Sequence, residues 1–366
     1  MRFILIGLLL AVWPVKAAAD IEVRAEYHAP TDLFALMDGV SGWLFNDPAY
    51  HEYWEERFGW SREDQAIVNR YKRYRDRTFN DCAQNDNVYR ARTDGIFGTR
   101  SSVSSDTDPL AEHFVASQSI EEALANLEQS ATSEDAAMLR SFYNHFEPKW
   151  RQLLNESKSY NIARAETLHK QLNRDQLDAF LARMTQFYGV DDDLDFTARY
   201  VWWPPINRSI ADITGRTFFL RNHPDNYPDQ SHIAGDVIHE AVHYVSAFQP
   251  SAQKVALTED FLEICPARVD GTVYDLLEEP MATAWGNAAF TKYALGQTLD
   301  PAKQWYRRAL PDTMARLVWL HVDEIYETDD TINDGIIIEA AKHCAALLET
   351  SKRLKRESSW FGRLEK

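Results

Sequence analysis

Positive charge is what this chain lacks most. Its 366 residues carry 39 Lys and Arg against 56 Asp and Glu, a formal net charge of −17. So acidic a surface repels phosphate backbones and anionic lipid, which argues against nucleic acid and charged membranes as partners. Otherwise net charge speaks to solubility rather than to fold. Cysteine is scarce as well: Cys82, Cys265 and Cys344 are the full set. Three thiols at these spacings do not make a zinc–thiolate site, and they allow one disulfide whose pairing the sequence leaves open. No internal repeat is present. Beyond the first 19 residues, no apolar run approaches the roughly 20 residues of a membrane-spanning helix. Asp225, Asn226 and Asp229 lack the calcium-loop pattern and read as a turn. The remainder, 45% hydrophobic and 26% charged with 14 Gly and 14 Pro, is ordinary globular composition. It suffices for one large domain or two ordinary ones.

Residues 1–19, MRFILIGLLLAVWPVKAAA, have the form of a secretory signal peptide. Arg2 gives the charged start, Phe3 to Trp13 a short apolar core, and Ala17–Ala19 a small-residue cleavage site. The expected mature protein is therefore exported, periplasmic or secreted, and free of the membrane after cleavage. Losing Arg2 and Lys16 takes its charge from −17 to −19.

From residue 20 to about 190 the pattern is helical. Apolar residues recur at helical spacing over 31–39, 61–77, 119–129, 133–155, 158–172 and 173–188. Arg70, Lys72, Arg73, Arg75 and Arg77 read as a solvated basic face. Periodicity is lost over 80–109, and the Trp and Tyr residues of 43–60 read as packing groups. After about 190 the texture changes. FTARYVWW at 196–203 and GRTFFLRN at 215–222 read as strands joined by a hairpin-like connection. Helices are expected over 230–247, 255–264, 279–295, 301–326 and 332–357. The expected division is a signal peptide (1–19), a helical N-terminal region (20–190) and a core with C-terminal helices (191–366).

The chemistry lies at His239-Glu240-Ala241-Val242-His243, an HExxH. On a helix, imidazoles four residues apart project from one face and can grip one Zn2+. Glu240 then sits where a carboxylate can act as general base toward a metal-activated water. Ile233, Val237, Ile238, Ala241, Val242 and Val245 form the apolar stripe of a core-facing helix. This segment resembles the zincin metallopeptidases, although Asp236 is more polar than their pattern usually carries there. The resemblance implies an α+β, predominantly helical fold, with a small antiparallel sheet beside the HExxH helix in a zincin-like core. It also implies that 215–222 is the edge strand on which an extended peptide or protein substrate would lie.

The metzincin extension is absent, since Ser246 and Gln249 stand where it requires Gly and His. A downstream glutamate would make the chain gluzincin-like, and the candidates are Glu259, Glu263, Glu278 and Glu279. Glu263 has the spacing of thermolysin-like enzymes, but Cys265-Pro266 interrupts its helix. EEPMATAWGNAAF at 278–290 is preferred, because Ala282, Thr283, Ala284 and Gly286 permit close helix packing. Glu279 is the expected third ligand, with Pro280 in the first turn of its helix and Glu278 its rival. A zinc-bound imidazole passes its other N–H to a carboxylate or carbonyl, and Asp236, one turn before Glu240, is available near that face. Tyr293, His321 and Tyr326 are downstream groups that could stabilise an oxyanion, and none is assigned. His223 and His232 read as loop and first-turn residues. The expected function is zinc-dependent peptide hydrolysis with Glu240 as general base. The alternative is an exported zinc-containing binding or scaffold protein of the same descent without proteolytic activity.

Overall fold

Four strands form one mixed sheet in the order β1-β2-β4-β3. The structure, a computed structural model, describes residues 21–43, 48–85, 108–173, 175–191, 194–228, 230–265, 274–300, 302–328, 331–332 and 334–364. The expected signal peptide lies outside these residues. Strand β1 (Ile21–Glu26) runs parallel to β2 (Leu194–Val201), and β2 runs parallel to β4 (Thr217–Arg221). Strand β3 (Ile210–Thr214) pairs antiparallel with β4 through a two-residue turn in which Gly215 takes φ 60°.

Three expectations change here. The sheet is mixed rather than antiparallel, because only β3 and β4 are joined by a tight turn. The 215–222 strand is not an edge: β4 is paired on both sides, every residue is buried, and β3 is the edge instead. The boundary near 190 does not divide the fold either, since β1 comes from residues 21–26 and pairs with β2 along its length.

Around the sheet the chain is predominantly helical. Helices α1 (Ala29–Ser41), α2 (Pro48–Phe58), α3 (Arg62–Asn85), α4 (Pro109–Ala116), α5 (Ile120–Ala125) and α6 (Ser133–His145) precede the long α7 (Glu147–Leu172) and α8 (Asp175–Tyr188). After the sheet come α9 (Gln230–Ala247), α10 (Ser251–Ile264), a continuous helix α11 over 274–294, α12 (Ala309–Thr328) and α13 (Asp334–Leu364). No helix among the described residues is long and apolar enough to cross a membrane.

Two hydrophobic cores flank the sheet. The first packs Phe218 and Leu220 of β4 with α9, α11 and α13; the second takes Phe219 with Phe34, Trp54, Phe142 and Trp150. Alternation along β4 thus feeds both cores from one strand. Tyr50 and Trp54 of α2 are fully buried in the second core. Arg75 corrects the reading of a solvated basic face. It is 1% exposed and bonds to Asp38 and Asp108, tying α3 to α1 and to the N-cap of α4. A disulfide joins Cys265, at the end of α10, to Cys344 on α13.

Candidate metal centre

Two helices build the site. The stripe Ile233, Val237, Ile238, Ala241, Val242 and Val245 of α9 is buried, as its spacing requires, and the chain turns before Pro250. Helix α11 lies against it unusually closely at one point. A Cβ on Gly286 would stand 2.5 Å from both Cα and N of His239, so only glycine permits the approach. Gly235 of α9 faces the carbonyl of Gly286 across the same contact.

The winding of α11 changes at the site. Tyr274–Glu278 and Ala284–Ala294 are π-helical, and the turn between them, Glu279–Thr283, is α-helical. Pro280 therefore lies inside a continuous helix rather than opening one. Its missing N–H removes a backbone bond where the winding switches, and π turns frequently accompany functional sites.

The imidazoles of His239 and His243 and the carboxylate of Glu279 converge there, all buried, with ligand-capable atoms within 4.8 Å of one another. His239 Nε2 lies 3.2 Å from His243 Nε2 and 3.5 Å from Glu279 Oε2; His243 Nε2 lies 3.9 Å from Glu279 Oε1. A tetrahedral ion with bonds of about 2.0–2.1 Å spaces its ligand atoms about 3.3 Å apart. The donor set and its spacing therefore fit zinc.

Glu278 takes a different place from its neighbour. His243 Nδ1 donates to Glu278 Oε1 at 3.0 Å, which fixes that ring with Nε2 toward the other two donors. Adjacent helical residues diverge by about 100°, and the His243 ring meets one glutamate with each nitrogen. Lys254 of α10, itself buried, faces Glu278; burial lowers its pKa and the glutamate's charge opposes that. Glu259 and Glu263 stand on the exposed side of α10 and take no part.

Burial alone would lower the pKa of His239. The hydrogen bond and charge of Glu279, with Glu240 and Asp236 behind, turn the net shift upward. Asp236 goes up through burial, opposed by His232 and His239, and accepts the Ser209 hydroxyl at 3.4 Å. The carboxylate on a site imidazole is thus Glu278, whereas Asp236 reaches the site through charge. Glu240, half-buried, is near enough for its charge to act on His239.

One site residue escaped the sequence reading. The ring of Tyr306 lies nearly parallel to His239, with centroids 5.9 Å apart and 14° between planes. Its hydroxyl accepts Arg308 Nη2 at 3.4 Å, and burial followed by the nearby Glu279 charge pushes its pKa up to about 12. The helix expected over 301–326 hid it, since α12 starts only at Ala309. Pro311 was the available signal, because proline favours the first turn of a helix. The downstream groups weighed from sequence pack elsewhere. Tyr293 stacks on Tyr326 at 3.7 Å and donates to Asp323, and His321 lies beside His343. His223 stands against Tyr160 and His232 against Tyr227.

No family model, no curated protein and no solved structure matches this chain.

Proposed function

We propose that the protein is an exported zinc-dependent metallopeptidase of gluzincin type. The observation that carries this reading is the spacing of His239 Nε2, His243 Nε2 and the Glu279 carboxylate, with Glu240 near enough for its charge to act on His239. Bound zinc would activate water and polarise a substrate carbonyl at neutral pH. Glu240 takes the proton of the attacking water and returns it to the leaving amine. The Tyr306 hydroxyl, with its pKa raised to about 12, remains protonated and donates toward the charge that develops on the carbonyl oxygen. His243 is held in its working tautomer by Glu278. An extended peptide is received by β3, whose outer edge offers backbone groups for strand addition.

The test is Glu240→Gln in the full chain. Zinc content should remain near one per molecule while hydrolysis of a peptide library falls by about 10²–10⁴-fold. Unchanged turnover removes the mechanism. A wild-type protein that binds zinc and cleaves no peptide supports the scaffold reading instead.

A further inference from the structure

Tyr306 is delivered to the site by a segment without regular structure, residues 302–308, which precedes α12. The backbone there is nevertheless held at two successive residues. Asp312, in the first turn of α12, accepts the N–H of Trp305 at 2.7 Å and of Tyr306 at 2.8 Å on one oxygen, Oδ1. Its other oxygen accepts Arg316 Nε at 2.9 Å. Arg316 also donates to the carbonyl of Lys303 at 2.5 Å and lies over the Trp305 ring at 4.9 Å. Trp305 in turn meets Trp319 of α12 edge-on. Burial would raise the pKa of Asp312, but Arg316 and the two backbone N–H groups hold it below the usual carboxylate range.

An acid in the first turn of a helix is ordinary where it caps that helix's own N–H groups. Asp312 caps something else: the residue before Tyr306 and Tyr306 itself. We infer that Asp312, braced by Arg316, is the positioning residue that sets the Tyr306 hydroxyl against the metal-binding face. This inference rests on the metallopeptidase reading for its effect on turnover, though not for its effect on the tyrosine. A phenol on an unrestrained loop would have to lose its conformational freedom at each turnover, whereas here that freedom is already lost in the resting protein.

The experiment compares wild type, Asp312→Ala, Asp312→Asn, Tyr306→Phe and the double variant Asp312→Ala/Tyr306→Phe in the full chain. First, each protein is labelled with 3-fluorotyrosine, and the Tyr306 resonance is assigned by its loss in Tyr306→Phe. In wild type that resonance should move when zinc is added to metal-free protein. In Asp312→Ala it should stand at the position of free fluorotyrosine and respond little to zinc. Asp312→Asn keeps a backbone acceptor and should retain much of the wild-type response. Second, zinc affinity by chelator competition should weaken to the same extent in Tyr306→Phe, Asp312→Ala and the double variant, all of which lose the phenol beside Glu279, and should stay near wild type in Asp312→Asn.

Third, kcat for peptide hydrolysis should fall in Asp312→Ala about as far as in Tyr306→Phe, with KM little changed, and the double variant should be no worse than Tyr306→Phe. A wild-type zinc response of the Tyr306 resonance that survives in Asp312→Ala overturns the inference, as do losses of kcat that multiply in the double variant. If wild type cleaves nothing but its resonance responds to zinc and Asp312→Ala abolishes that response, the peptidase reading fails and the positioning role stands.

Discussion

The two cores bury charge in opposite ways. In the helical core the permanent guanidinium of Arg75 answers two carboxylates. It donates to both oxygens of Asp38 and both of Asp108, while Tyr71 adds a 2.6 Å bond to Asp38. Trp43 covers the guanidinium at 4.3 Å. That cluster is completed by the chain itself, and it ties α1, α3 and α4 together. In the core on the other side of the sheet, Glu278 and Glu279 are 3% and 4% exposed, and the groups placed between them are imidazoles. An imidazole carries charge only when protonated, and a protonated one cannot bind metal. Lys254 faces Glu278, while Glu279 meets His239, His243 and the Tyr306 phenol. The first arrangement fixes a fold, and the second is suited to receive a divalent cation.

Removing the internal cation should therefore damage the first core most. Arg75→Met leaves Asp38, 2% exposed, and Asp108 without their guanidinium. The expected cost is about 3–5 kcal/mol, the usual result of breaking a buried pair on one side. Chemical denaturation measures it, and zinc per folded molecule should not change. A parallel loss of zinc affinity would show that the two cores are not independent.

On the other side, Glu278→Gln should leave the fold nearly intact and weaken zinc. Glutamine still accepts the His243 Nδ1–H, but the negative charge that keeps the ring a strong donor is gone. Loss of such an outer partner usually costs about 10–100-fold in metal affinity, read by chelator competition. Equal affinity in the variant would mean that the bond at 3.0 Å orients His243 without strengthening it.

What was legible in the sequence follows the same division. The meeting of His239 with His243 could be read because it depends on spacing along one helix. Glu279 could be preferred because Gly286 and its small neighbours allow two helices to meet closely, as the Gly286–His239 approach bears out. Contacts set by the tertiary fold were not legible. The burial of Arg75 depends on Asp108, which lies 33 residues away. Strand β1 was missed because six alternating residues pair with a partner more than 170 positions downstream. Residues 215–222 read correctly as a strand but not as an inner one, since edge or centre is decided by neighbours. Tyr306 was hidden by a helix start placed too early, and the π turns of α11 have no sequence signature comparable to HExxH.

The last expected effect is of another kind, a dependence on pH, and it lies at Asp32. Asp32, in the first turn of α1, is fully buried at the ends of the parallel strands, where it accepts the Trp202 N–H beside the Tyr27 hydroxyl. Burial raises its pKa from 3.8 to about 7, against the opposing pull of those two hydrogen bonds. For an acid raised in this way, the folded chain holds the proton more tightly than the unfolded chain. Stability is then highest below the unfolded value and falls as pH rises toward about 7. Asp32→Asn keeps an acceptor for Trp202 and removes the charge, so its stability should be flatter over this window. Thermal midpoints of wild type and variant, measured from pH 4.5 to pH 8, should diverge with rising pH. The variant should be higher by a few degrees at the alkaline end. Parallel curves would mean that Asp32 is as comfortable ionised in the fold as in water. The contrast between the cores would then lie at the metal-binding face alone.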